Sequence, residues 1–213
     1  MRSALSLAAL LAVVSTPAMI PGLAAQAPAT SPAAGAARGR VLPAAVQIAS
    51  ATAAAPGEMR EGATVLGYTA DSRLTTLRAG TGEMVCLASD PARDDFHVAC
   101  YHKSLEPFMA RGRELRAKGM SRAVADSART AEIRAGTLKM PAQPAALYSL
   151  TGPATSVDAT TGAVTGARPL YVVYIPFATA ESTGLSATPA RGTPWIMFAG
   201  TPKAHIMFTP DMR

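Results

Sequence analysis

Short β-prone runs come first, helical stretches second and further β-prone runs last, and that order most limits what this chain can fold into. Thr64-Val-Leu-Gly-Tyr68, Leu74-Thr-Thr-Leu-Arg78 and Glu83-Met-Val-Cys-Leu87 are punctuated by Asp71-Ser-Arg73 and Ala79-Gly-Thr-Gly82, which predicts a meander of three strands. Ser104 then reads as an N-cap with Pro107 in the first turn. Leu105, Phe108, Met109 and Leu115 recur at helical spacing up to Gly119. Ser121 opens a second helix that Gly136 ends. Its apolar face, Val124, Ala128, Ala131 and Ile133 or Ala135, is thin enough to place it on the surface. Strands return at Ala146–Leu150, Leu170–Ile175, Trp195–Ala199 and Ala204–Phe208, with Gly- and Thr-rich loops between them. A short helix is expected within residues 41–55, where Pro43 fits only a first turn. The expected fold is therefore α+β: a mostly antiparallel sheet with two central helices packed on one side, forming a single domain over residues 41–213.

The start of the chain reads differently. Arg2 followed by the apolar run Ala4–Val14 and the small residues Gly22, Ala24 and Ala25 matches a secretory signal peptide over residues 1–25. The run is too short for a membrane span, which needs ~20 apolar residues. Residues 26–40 have the Ala, Pro, Ser and Gly composition of a flexible linker. Periplasmic or extracellular localisation follows as the expectation, with no transmembrane segment in the remainder.

Export changes the meaning of the cysteines. Cys86 and Cys100 are the only two, fourteen positions apart, and in an oxidising compartment an even count predicts one disulfide. A metal site using both with His97 and His102 is the rival, but the spacing matches no zinc pattern. Asp94 and Asp95 with His97 read as a solvated acidic loop before they read as a cation site.

The net charge of +6 suits solubility and attraction to anionic surfaces. Nucleic-acid binding is not expected, because aromatics make up only 5% and the run Arg111, Arg113, Arg116, Lys118 beside Glu114 has no base-stacking pattern. Ten methionines raise copper as a reading, since thioethers suit Cu(I). Met197 and Met207 stand among Ile and Phe, where core packing is the default. No metal and no cofactor is expected.

The last two runs carry the candidate site. A four-residue loop, Gly200-Thr-Pro-Lys203, pairs Ala199 with Ala204, Phe198 with His205 and Met197 with Ile206. Directly paired residues share a face. One face then holds Trp195, Met197, Ala199, Ala204, Ile206 and Phe208, and the other holds Ile196, Phe198, His205 and Met207. A lone His on an apolar face is commonly structural. The alternative is the polar group of a half-apolar pocket, which makes His205, Phe198, Met207 and Tyr174 the ligand-binding candidates. Tyr171 lies on the opposite face of its strand from Tyr174.

The segment Gly192-Thr-Pro-Trp-Ile-Met-Phe-Ala-Gly-Thr-Pro-Lys-Ala-His-Ile-Met207 resembles the C-terminal signature of a group of uncharacterised exported bacterial proteins. That signature is Pro-Trp-x-Met followed by Gly-Thr-Pro-x-Ala-His-x-Met. Leu77-Arg-Ala-Gly-Thr-Gly82 with Cys86, Ala146–Leu150 and Pro169-Leu-Tyr-Val-Val173 also look similar to it. The group often has a Trp before the first cysteine, where this chain has Met84-Val85. The resemblance implies one shared fold and export, and implies no activity.

Motifs of phosphate binding, dinucleotide binding, zinc hydrolysis and the serine nucleophile elbow are absent. Ser104 with His102, and Ser149 with any His, carry weight only if geometry joins them. The expected function is a non-catalytic domain that binds a small molecule or an envelope protein. The alternatives are a hydrolase-like enzyme centred on His205 with a Tyr or carboxylate partner, and a metal-handling envelope protein.

Overall fold

The computed structural model describes residues 39–190 and 192–210. The expected signal peptide, 1–25, and nearly all of the linker, 26–40, lie outside them. The elements in chain order are α1 (Ala44–Thr52), β1 (Thr64–Tyr68), β2 (Leu74–Arg78), β3 (Met84–Leu87), β4 (Asp95–His102), α2 (Glu106–Ala117), α3 (Arg122–Arg134), β5 (Ala145–Pro153), β6 (Arg168–Tyr174), α4 (Ala180–Thr183), β7 (Trp195–Met197) and β8 (His205–Phe208). The strands form one sheet in the order β2-β1-β3-β4-β5-β6-β8-β7, antiparallel throughout except for the parallel pair β1 and β3. The architecture is α+β with a mostly antiparallel sheet.

The expected meander of the first three strands is corrected by this order. After β2 the chain crosses the start of β1 and enters the sheet on β1's other side. The crossing is close enough to require glycine. A Cβ on Gly80 would overlap the backbone of Gly62, Ala63 and Thr64, inside the 3.0 Å that real Cβ contacts respect. Two hydrogen bonds hold the crossing: Gly80 N–H to Thr64 Oγ1 (3.1 Å) and Gly82 N–H to the Gly62 carbonyl (2.8 Å). β4 is a strand the sequence reading did not assign. Its signal is period-two burial, with Phe96, Val98 and Cys100 inward and Asp95, His97 and Ala99 less buried.

Cys86 and Cys100 stand opposite each other on β3 and β4 and form the expected disulfide. α1 packs directly over it. Ala51 in the helix and Ala54 and Ala55 in the turn after it are small enough to let this segment approach the sheet, and Cys100 Sγ lies 3.3 Å from the Ala51 carbonyl oxygen. The disulfide sulfur has no proton, so this is a packing contact rather than a hydrogen bond. The alanine-rich composition therefore serves close packing at this layer. Gln47, buried in α1, closes the end of β1. Its Nε2 donates to the carbonyls of Leu42 (2.7 Å) and Tyr68 (2.9 Å), and its Oε1 accepts from Tyr68 N–H (2.8 Å). An amide on that helix thus replaces a strand partner.

The other sheet face carries α2. Leu105 and Met109 pack with Val85, Tyr101, Ala145 and Leu147, and Phe108 meets the Tyr174 ring edge-on at 6.2 Å. His102, rather than Ser104, caps the turn that leads into α2, accepting from Ser104 N–H. Ser121 caps α3 as expected. α3 lies against α2, joined by Arg111 and Glu132 at 2.6 Å. Val124, placed on its apolar face by the sequence reading, is 53% exposed, and Ala125 is the α3 residue that is buried.

Candidate functional site

β6 and β8 set the site. Their register places Tyr174 opposite His205 and Val172 opposite Met207. β7 and β8 pair as Trp195 with Met207, Ile196 with Ile206 and Met197 with His205. This is one residue away from the expected register, so the assigned faces change. Trp195, Met197, His205 and Met207 share one face, and Ile196 and Ile206 share the other. The cause is the connection. Instead of a four-residue loop, residues 198–204 make successive tight turns. Phe198 and Gly200 are left-handed (φ 55° and 73°), Thr201 N–H bonds to the Phe198 carbonyl, and Ala204 N–H bonds to the Thr201 carbonyl.

Phe198 nevertheless reaches His205. Having left the strand, its ring turns back to 5.7 Å from the imidazole, while Tyr174 stands 5.0 Å away on the other strand. Three of the four candidate residues are therefore in contact, and Met207 lies two residues along on the same face. His205 is 7% exposed. Its Nδ1 is 2.7 Å from the Lys203 carbonyl oxygen, which can only accept, so Nδ1 carries the proton. Nε2 hydrogen-bonds nothing among the described residues. Burial holds the imidazole pKa below its ordinary value, with the Lys203 charge acting the same way against the hydrogen bond to its carbonyl.

A circuit of alternating rings and charges surrounds this histidine. Phe108 lies against Tyr174, and the Arg129 guanidinium sits 3.9 Å over the Phe108 ring while donating to the Phe108 carbonyl (3.0 Å). Arg129 also pairs with Asp126, whose other oxygen accepts from Lys203 Nζ at 2.9 Å. Lys203 Nζ in turn lies 4.0 Å from the Phe198 ring centre. Burial pushes the Asp126 carboxyl up, but hydrogen bonds from Lys203 and Arg129 outweigh it and hold it below the usual range. Burial raises the Tyr174 phenol. Asp126, Arg129 and Lys203 were not singled out in the sequence, because residues 126 and 203 meet only in the tertiary fold.

Two phenylalanines mark the same end of the sheet. Phe177 and Phe198 both have left-handed backbone (φ 66° and 55°) and are 55% and 46% exposed. Such a conformation costs a bulky residue ~1–2 kcal/mol. Both turns hang on Thr201: Phe177 N–H donates to its carbonyl (2.9 Å), and Thr201 Oγ1 donates to the Phe198 carbonyl (2.7 Å). Beside Phe177, an open apolar cleft of about 630 Å³ runs between the end of α3 and residues 138–144 and 175–178. A polar hollow of about 270 Å³ is lined by Asp126, Ser127, Thr130 and Arg134 of α3 and by Lys203.

The other candidates fall elsewhere. Arg93 takes up both oxygens of Asp95 (2.7 and 2.9 Å), and His97 Nδ1 meets Thr151 Oγ1 at 2.8 Å. Both cysteines are in the disulfide and are not metal ligands. Ser104 and His102 are joined: Ser104 Oγ lies 2.8 Å from His102 Nδ1, and His102 Nε2 lies 3.5 Å from Glu83. The same Nδ1 accepts Ser104 N–H (3.2 Å), so this group caps a turn, on the surface and away from the clefts described above. Among the described residues no three His, Cys, Asp or Glu side chains gather as a metal site, and no helix is long and apolar enough to cross a membrane. No protein-family model, no curated protein and no solved structure matches the chain.

Proposed function

We propose that this is an exported, non-catalytic binding domain of the bacterial cell envelope, with its recognition surface at the end of the sheet where β6, β8 and β7 meet α3. The disulfide supports export, because such bonds persist in oxidising compartments. The likeness of residues 192–207 to exported bacterial proteins belongs to the same proposal. One observation carries the binding reading: two exposed phenylalanines in costly left-handed backbone, hung on one threonine beside a buried histidine. Strain of this kind persists where function keeps it. Hydrolysis is supported less. Asp126 is taken up by Lys203 and Arg129, and His205 Nδ1 is held by a backbone carbonyl rather than by an orienting carboxylate.

The test is native mass spectrometry of protein recovered from the cell envelope, beside Phe177→Gly and Phe198→Gly variants. Glycine relieves the backbone strain, so both variants are expected to fold at least as stably as the parent and to lose a bound mass that the parent carries. Turnover of ester or amide substrates that disappears in His205→Ala would overturn the reading.

A further inference from the structure

We propose that His205, Met197 and Met207 form a binding site for a soft monovalent metal ion, Cu(I). The proposal rests on the binding reading above and names its ligand. It arises from the observed register, which places Met197 directly opposite His205 and leaves Met207 two residues along the same face, opposite Trp195. Directly opposed residues have Cβ atoms about 5 Å apart, and diagonal neighbours about 7 Å. Two unbranched thioether side chains and one imidazole can therefore converge on a single ion from that face.

The donors suit this ion. Thioether and imidazole are soft and borderline ligands, and the set contains no carboxylate or thiolate, the groups that favour hard ions or Zn(II). All three donors are neutral, so a monovalent ion brings in a single charge to be desolvated. His205 is prepared as a ligand histidine usually is: Nδ1–H is fixed on the Lys203 carbonyl, which fixes the tautomer and leaves Nε2 for the metal. Trp195 and Tyr174 supply aromatic walls, whose faces attract a cation. Packing is the ordinary role of methionine, but Met197 and Met207 are only half-buried, on a hairpin at the edge of the sheet, and neither belongs to the two apolar cores. An ion can reach them from solvent.

The experiment uses the full disulfide-bonded chain, labelled with 13C at the methionine methyls, titrated with Ag(I) as a redox-inert probe and then with Cu(I) in competition with a chromophoric chelator. One equivalent is expected to shift the methyl signals of Met197 and Met207 and to leave that of Met109, in the α2-side core, in place. Met197→Leu and Met207→Leu conserve volume and keep the fold. Each is expected to weaken Ag(I) binding at least about tenfold, the loss that follows even from disturbing an outer-shell partner. Met109→Leu should leave it unchanged. Unmoved hairpin methyls, unchanged affinity in both leucine variants, or tighter binding of Zn(II) than of Ag(I) would each overturn the site. If silver fails while the envelope-recovered protein still carries a mass that the phenylalanine variants lose, the metal site falls and the binding reading stands. His205-dependent turnover would sink both.

Discussion

Replacing Gly80 by alanine tests the topology of the first three strands. In a meander, residues 79–82 would be a plain hairpin loop in which one methyl group costs little. In the observed crossing, the new Cβ runs into the backbone of Gly62, Ala63 and Thr64, none of which can yield as a flexible side chain can. Relief requires β1 and the 79–82 segment to separate. Overpacking of this kind costs ~1–3 kcal/mol. Separation also weakens the bonds from Gly80 N–H to Thr64 Oγ1 and from Gly82 N–H to the Gly62 carbonyl, each worth about 1 kcal/mol. The expected loss is therefore about 3–5 kcal/mol, a large share of the ~5–15 kcal/mol of a typical domain. Urea unfolding followed by far-UV circular dichroism reads it as a lower midpoint at unchanged slope. Gly57→Ala is the control, since nothing lies within 4 Å of the added methyl there. A Gly80→Ala cost indistinguishable from that of Gly57→Ala would refute the crossing, and with it the parallel pairing of β1 and β3.

Replacing both Cys86 and Cys100 by alanine should cost about 3 kcal/mol in the same assay, the chain-entropy value for a ring of this length; an unchanged midpoint would show that the bond does not constrain the unfolded chain. Asp126→Ala leaves Arg129 and Lys203 without their shared anion, and because the group is partly solvated the expected loss is about 1–3 kcal/mol, read as a lower Tm and absent if the pairs are idle surface contacts. Gln47→Leu strands the Tyr68 amide and carbonyl at the end of β1 and the Leu42 carbonyl before α1, so hydrogen exchange at Tyr68 should accelerate while Val65 stays protected. Acid should destabilise the fold in two stages. Burial, with Arg93 beside it, depresses the His97 pKa below its ordinary 6.5, so its contribution is full above that pH and is lost as pH falls, because the unfolded chain takes up the proton first. The depressed carboxyls of Asp95 (bonded by Arg93), Asp126 and Asp158 (bonded by Thr161) extend the loss below their unfolded values, about pH 4. Denaturation across a pH series checks this, and His97→Gln should reduce the upper stage, to which buried His205 also contributes, while leaving the lower one in place.

Much of the element pattern was legible in the sequence because it is local. Thr64–Tyr68 and Leu74–Arg78 are strands with the bounds their composition and turn residues suggest, and Ser121 and Gly136 cap and end α3. β4 is also written in the chain, in the alternation of Phe96, Val98 and Cys100, but the adjoining acidic residues and the cysteine-histidine cluster mask that alternation. The sequence sets Phe198 against His205 and names Tyr174 for the same site; the three rings do meet, through a hairpin geometry that differs from the expected one.

The sequence by itself determined where most chain segments become strands and helices, that the two cysteines pair, and that an isolated histidine stands among apolar residues in the last β-prone runs. These follow from propensity, periodicity and capping, which act over a few residues. Tertiary structure decided the rest. β3 lies beside β1 because two glycines let backbones cross. Asp126 joins Lys203 across 77 positions because α3 is laid along the last hairpin. Met197 faces His205, rather than the opposite side, because two left-handed residues lengthen the connection and shift the register by one. A strand alternates its sides with every residue, so a shift that leaves the secondary structure unchanged replaces the whole set of side chains that a site presents.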